Sequence, residues 1–190
     1  SLVEKFRKLN THTPIILMGY YNPIYKFGKE KFIQQCLNSG VDGLIVVDLP
    51  PEEDDEFYIE AEKNKLSMIR LVTPTTNEKR LNKILFNATG FVYYVSITGI
   101  TGTQAPNTEN VSSKLKKIKS FTDLPVIVGF GIRSPSQALS MANISDGIVV
   151  GSAVVDLIKS SLDKNDNPTK YTLNSCLDFV GKISKSVKHN

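Results

Sequence analysis

Three glycine-rich turns carry the clearest chemical signal in the chain. Ser96-Ile97-Thr98-Gly99-Ile100-Thr101-Gly102, Gly129-Phe130-Gly131-Ile132 and Gly151-Ser152-Ala153 each follow a short β-branched run in the C-terminal half. Glycine lets backbone N–H groups come close to an anion, and a helix start adds a favourable dipole. The third turn opens a short helical stretch, residues 154–159. Any one of these turns alone reads as a tight connection. Three at successive strand ends point to a phosphate cradle, a signal for a superfamily rather than for a reaction.

The other candidates weigh less. His12 precedes a strand and His189 lies in the C-terminal tail, so neither is placed as a general base. No Cys/His cluster has metal-ligand spacing, and no histidine is set to activate a serine. Asp48 ends a strand, where it either does chemistry or holds a loop by hydrogen bonds to backbone. Tyr93 and Tyr94 point to opposite faces of one strand, so at most one is functional. Residues 20–24, Tyr-Tyr-Asn-Pro-Ile, read as an exposed aromatic loop and a candidate contact surface.

These residues need a scaffold. Near-continuous apolar runs at 14–19, 43–48, 67–72, 91–96, 126–129 and 147–150 read as strands buried on both faces of a parallel sheet. Helical patterns lie between them, at 29–38, 52–64, 78–86, 111–120 and 136–142, with a last helix over 169–187. Strand starts recur about every 26 residues, which is a βα repeat with right-handed crossovers. An open doubly wound sheet gathers its ligand loops at one switch point, whereas a (β/α)8 barrel rings them around one mouth. Four of the six strands end in small, polar or glycine-rich chemistry, which favours the barrel. Its last two strand ends and the short helix after them are common phosphate positions. The chain starts in a helical pattern with no Met and no visible cap. The expectation is one barrel domain over 1–190 that holds strands three to eight. Set against ~250 residues for a typical barrel, about 60 residues, or two βα units, are expected upstream of Ser1. No linker, low-complexity tract or shorter internal repeat stands out.

Composition narrows the class further. Hydrophobic residues make up 41% and charged residues 22% of 190, which is globular usage. The net charge of +4 is spread along the chain and argues against nucleic acid. The densest basic run, residues 114–119, alternates with Val111, Leu115 and Ile118 at helical spacing and reads as a solvated face. Cys36 and Cys176 read as free thiols in a reducing compartment. No run approaches ~18 consecutive apolar residues, so no membrane helix is expected. Residues 96–110 are long and polar enough for a lid that orders on ligand binding.

With the motifs in place, the chain resembles the tryptophan synthase α-subunit family. The likeness rests on Leu17-Met18-Gly19-Tyr20-Tyr21-Asn22-Pro23-Ile24, Gly43-Leu44-Ile45-Val46-Val47-Asp48-Leu49-Pro50 and residues 93–102. It continues through Pro125-Val126-Ile127-Val128-Gly129-Phe130-Gly131-Ile132 and Gly147-Ile148-Val149-Val150-Gly151-Ser152-Ala153. The Asp-Leu-Pro and Ser-x-Thr-Gly-x-Thr-Gly motifs are specific to that family, and the last two glycine turns are shared with other phosphate-binding barrels. The resemblance implies retro-aldol cleavage of indole-3-glycerol phosphate to indole and glyceraldehyde 3-phosphate. It implies no cofactor on this chain, a pyridoxal-phosphate-dependent β subunit that takes the indole in an α2β2 assembly, and a cytoplasmic location with plastid stroma as the alternative. By the same resemblance Gly102, Gly131, Gly151 and Ser152 hold the phosphate. Met18, Ile45, Leu71, Tyr93, Thr101 and Phe130 line the indole-glycerol pocket, with Tyr93 a possible assisting group. Asp48, Pro50, Tyr20 and Asn22 face the β subunit, and Asp48 couples the two sites.

The reaction needs a general acid and a general base, because indole C3 gains a proton while the indole nitrogen and a glycerol hydroxyl lose theirs. The family places a Glu at the end of its second strand and an Asp in the loop after it. Both are expected upstream of Ser1, which leaves no catalytic carboxylate in this segment and makes the isolated segment inactive. Two other readings remain at this point. A sugar-phosphate epimerase would need metal-ligating His and acidic residues at strand ends that the sequence does not offer, and a phosphoribosyl isomerase would need strand-end acids, for which Asp48 alone is a poor match. A non-catalytic phosphate-binding subunit would lack the upstream Glu and Asp.

Overall fold

The computed structural model describes residues 1–96, 108–129 and 131–188, with the side chain of Asp55 left aside. The chain falls into two compact units. The first comprises Ser1–Val72, Thr76–Tyr93 and Phe121–Leu124, and the second carries the rest.

In the first unit, β1 (Ile16–Gly19), β2 (Gly43–Val46) and β3 (Ser67–Met68) form a sheet in that order. The pairing is parallel, with Ile16 opposite Gly43 and Leu44 opposite Met68. Helices α1 (Leu2–Arg7), α2 (Tyr21–Phe27), α3 (Lys29–Ser39) and α4 (Asp55–Lys63) accompany it. The core joins Ile24, Ile33 and Cys36 of α2 and α3, Leu44 and Met68 of the sheet, and Phe57 and Ala61 of α4. Burying such a set against one sheet face is the main favourable term for a fold of this size. β4 (Arg70–Val72) then lies beside β5 (Val92–Val95), with α5 (Glu78–Phe86) between them in sequence. Asn77 caps α5 by accepting the Arg80 N–H at 2.9 Å, and Leu81 and Ile84 are its buried face.

Three expectations need correction here. Residues 67–72 are two strands, because Ser67 and Met68 pair with β2 whereas Arg70–Val72 turn to β5. The start of the chain does carry a cap. Ser1 accepts the Glu4 N–H at 3.2 Å and Glu4 reaches back, a capping box. Residues 20–24 are not a loop: Tyr21–Phe27 is helix α2, entered from an extended Tyr20. Pro23 falls in its first turn, where its missing N–H costs nothing. Tyr21 is half-buried with its ring edge against Phe57 at 5.9 Å, and Ile24 is buried in the core.

The second unit contains the end of β5, β6 (Val126–Gly129) and β7 (Gly147–Val149) in that order. β6 and β7 are parallel, with Ile127 opposite Gly147 and Gly129 opposite Val149. Its helices are α6 (Thr108–Lys119), α7 (Pro135–Ala142), α8 (Ser152–Ser161) and α9 (Lys170–Val187). On α6, Val111, Leu115 and Ile118 are buried while Lys114, Lys116, Lys117 and Lys119 are exposed, as the spacing predicts. Ser134 caps α7, with Pro135 at its first position.

Both units start a strand in the same way. Asp42 precedes β2; its Oδ2 accepts the Ile15 N–H at 2.6 Å, and its own N–H donates to Ile15 O at 2.9 Å. Arg7 of α1 pairs with the same carboxylate. Asp146 precedes β7; its Oδ2 accepts the Val126 N–H at 2.7 Å, its N–H donates to Val126 O at 3.1 Å, and Lys119 of α6 sits at 2.5 Å. In each case the aspartate joins its strand to the preceding one, and a cation from the helix before that strand completes the clamp. The glycine after each aspartate leaves room for the neighbouring strand. A Cβ on Gly43 would meet Ile69 Cδ1 and Ser67 O at 2.8 Å, and one on Gly147 would meet Ile127 Cδ1 at 2.9 Å.

Candidate functional site: strand ends in each unit

In the first unit, the ends of β2 and β4 border a cavity of about 310 Å³. Its lining includes Val46, Asp48, Pro50, Leu71 and Arg80. Asp48, Pro50 and Leu71 are therefore brought together, while Met18, Ile45, Tyr93, Tyr20 and Asn22 lie elsewhere in the unit. Asp48 Oδ1 accepts the N–H of Tyr21 at 2.7 Å. Tyr20 offers α2 no side-chain cap, so Asp48 serves as a cap supplied from the neighbouring strand end. Ile45 and Tyr93 are buried, whereas Met18 is 59% exposed at the end of β1. Burial pushes the Tyr93 and Tyr94 phenols above their usual range. Both stay protonated at neutral pH, so Tyr93 can donate a hydrogen bond but is no base.

One feature of this unit was invisible in the sequence. Asp54, at the start of α4, and Arg70 of β4 form a buried ion pair at 2.6 Å, with the guanidinium 5.8 Å from the Tyr58 ring centre. The partners are 16 residues apart and no local pattern announces them. The pair fastens the segment after Asp48-Leu49-Pro50 to the neighbouring strand. Glu52 in the same segment pairs with Arg80 and, at 3.6 Å, with Lys83 of α5. Its carboxyl is held below the usual range, chiefly by the Arg80 hydrogen bond.

In the second unit, Gly131 follows β6 at a φ of +81°, a conformation that favours glycine. Gly151 is different. Its φ is −118°, and a Cβ there would meet nothing within 4 Å. Neither backbone strain nor packing within the described residues requires glycine at this position. Gly151 is the N-cap of the ten-residue helix α8 and gives it no side-chain cap; no acidic residue occupies the first turn. The first N–H groups of α8, including that of Ser152, thus carry the positive end of the helix dipole with no side-chain cap from Gly151. Glycine, serine, uncapped amides and room for a group fit a phosphate. Ser96 ties β5 to the end of β6, its N–H and its hydroxyl each donating to Gly129 O at 3.0 Å. Thr101, Gly102 and Phe130 lie outside the described residues, as does most of the expected lid. Among the described residues no group of three or more His, Cys, Asp or Glu could hold a metal ion, and no helix is long and apolar enough to cross a membrane.

A family model described as tryptophan synthase alpha chain matches residues 1–186. The chain belongs to the tryptophan synthase alpha chain family. Solved structures agree. The tryptophan synthase subunit alpha of Legionella pneumophila str. Paris is 35% identical with a TM-score of 0.87, over 100% of this chain and 68% of that one. A tryptophan synthase complex from Pyrococcus furiosus gives 32%, 0.81, 97% and 70%. Tryptophan synthase from M. tuberculosis in its aminoacrylate-bound form gives 27%, 0.81, 98% and 66%. The chain spans about two thirds of the length of these relatives. The expected α/β class and the (β/α) barrel kinship of the parallel strands both stand.

Proposed function

We propose that the chain belongs to an α subunit that performs the retro-aldol cleavage of indole-3-glycerol phosphate to indole and glyceraldehyde 3-phosphate, and that these residues supply its substrate-holding part. Gly102, Gly131, Gly151 and Ser152 hold the substrate phosphate. Met18, Ile45, Leu71, Tyr93, Thr101 and Phe130 line the indole-glycerol pocket. Asp48, Pro50, Tyr20 and Asn22 face a β subunit, which carries pyridoxal phosphate and receives the indole in an α2β2 assembly. Asp48 does not work as an acid or base. As the cap on α2 it makes the strand end and the Tyr20–Asn22 segment move together, which suits a coupling residue.

The observation that carries the phosphate assignment is the open glycine at the head of α8. Its test is Gly151→Asp. Aspartate is a good N-cap and has room there, so stability should hold to within about 0.5 kcal/mol or rise. Its carboxylate would fill the space and repel an anion. Affinity for inorganic phosphate should fall at least tenfold, read by titration calorimetry. Unchanged affinity in a folded Gly151→Asp variant would refute the assignment.

A further inference from the structure

The second unit contains a cross-brace that the phosphate reading does not use. Arg133 lies two residues after Gly131, and its guanidinium pairs with Asp156 of α8, one turn and a residue beyond Gly151. The backbone of Arg133 is fixed separately. Its N–H donates to Gln137 Oε1 of α7 at 2.8 Å, while the Gln137 N–H donates to Ser134 Oγ at 3.3 Å. On either side, Ile132 and Ala153 are buried. Arg133 is thus anchored by its main chain to the head of α7 and by its side chain to α8.

The geometry points to Arg133 and Asp156 as positioning residues that hold the Gly131 turn and the head of α8 at the separation a phosphate needs. This inference rests on the phosphate reading above and adds a residue pair to it. Both side chains are about half exposed. Such a pair adds little to global stability, because solvent screens it and two long side chains must be ordered. Its effect lies in where it connects. The two segments it joins each bring one part of the cradle, Gly131 on one side and Gly151 with Ser152 on the other. Donors aimed at an anion act strongly only when their spacing is set beforehand. Without the brace, the turn and the helix head drift apart, and a phosphate must reorder them on arrival.

The test uses the full chain with three variants, Arg133→Gln, Asp156→Asn and the charge-swapped Arg133→Asp/Asp156→Arg. Two quantities are read: affinity for inorganic phosphate, and hydrogen-exchange protection of the Val154 and Val155 amides, which bond to Gly151 O. Each single variant should weaken phosphate binding roughly two- to fivefold, the scale of an exposed ion pair. Each should also lower protection at both amides without moving the melting temperature. The swapped pair should restore both. Tighter phosphate binding by Asp156→Asn would overturn the inference, since Arg133 would then be a phosphate ligand that Asp156 holds back. Unchanged protection in either single variant would overturn it as well. A wild-type chain that takes no phosphate would sink the function proposed above, and the brace itself would still stand or fall on the amide exchange.

Discussion

The strand starts at Asp42-Gly43 and Asp146-Gly147 are built alike, yet the strands they open end differently. Each aspartate joins two neighbouring strands through one N–H and one C=O, and each takes a cation from the helix before. At the far end, β2 leads into Asp48-Leu49-Pro50, where Asp48 caps another helix, whereas β7 leads into Gly151-Ser152, where the helix is left uncapped. In the family's barrel the N-terminal strand ends serve stability and the C-terminal ends serve function. The common start is therefore a structural device that both units need. The divergent ends are where the sequence was free to specialise, on the proposed function one towards partner contact and the other towards an anion.

The clamps also differ in tightness, and the first should be the more sensitive. Gly43→Ala meets a backbone oxygen and two isoleucine methyls within 3.0 Å. It should cost about 2–3 kcal/mol by denaturant unfolding, in the range of overpacked cores. Gly147→Ala meets the end of one flexible side chain and should cost about 1 kcal/mol or less, part of it offset by a stiffer unfolded chain. Equal costs would remove the distinction. The cations come next. Arg7 donates to Gly40 O and Thr13 O at 2.7 Å as well as to Asp42, whereas among the described residues Lys119 serves Asp146 alone. Arg7→Ala should cost about 1.5–3 kcal/mol, as for charge-assisted hydrogen bonds. Lys119→Ala should cost below about 1 kcal/mol.

Acid offers a gentler probe of the second clamp. Burial raises the Asp146 carboxyl, but the Lys119 hydrogen bond, the Val126 N–H and the lysine charge outweigh it, so the net shift is downward. A depressed carboxylate contributes stability that is present above its unfolded value, about 3.9, and is lost as pH falls through the folded value. Between pH 5 and pH 2, Asp146→Asn should lose less stability than wild type; parallel curves would contradict this. The smallest effect concerns thiols. Burial pushes Cys36 up to about 11, so near pH 8 it should react with a thiol reagent only when the first unit opens. Gly43→Ala should speed that reaction and Gly147→Ala should leave it unchanged.

Much of this was legible in the sequence because periodicity and glycine placement are local signals. The 78–86 helix, the 126–129 strand and the buried stripe of α6 emerge as read. The errors occurred where a distant residue decides a local conformation. Residues 20–24 look like a proline turn until Asp48, 27 residues on, caps Tyr21 and makes a helix of them. Ile69 divides one near-continuous apolar run into two strands, because the strands on its two sides pair with different neighbours. The shared Asp-Gly starts are too short to register as a repeat, and their meaning lies in partners at Ile15, Arg7, Val126 and Lys119. Arg133 had a usable signal, a cation two residues past a cradle glycine. Asp156 had none.

The most direct measurement is a titration of the isotopically labelled chain with inorganic phosphate, followed by amide resonances. The amides of Gly151, Ser152 and Ala153 should shift in a saturable way while those of Asp48 and Leu49 stay in place. Shifts at Asp48 and Leu49 with none at the head of α8, or no saturable shift at all, would contradict the division of labour between the two strand ends.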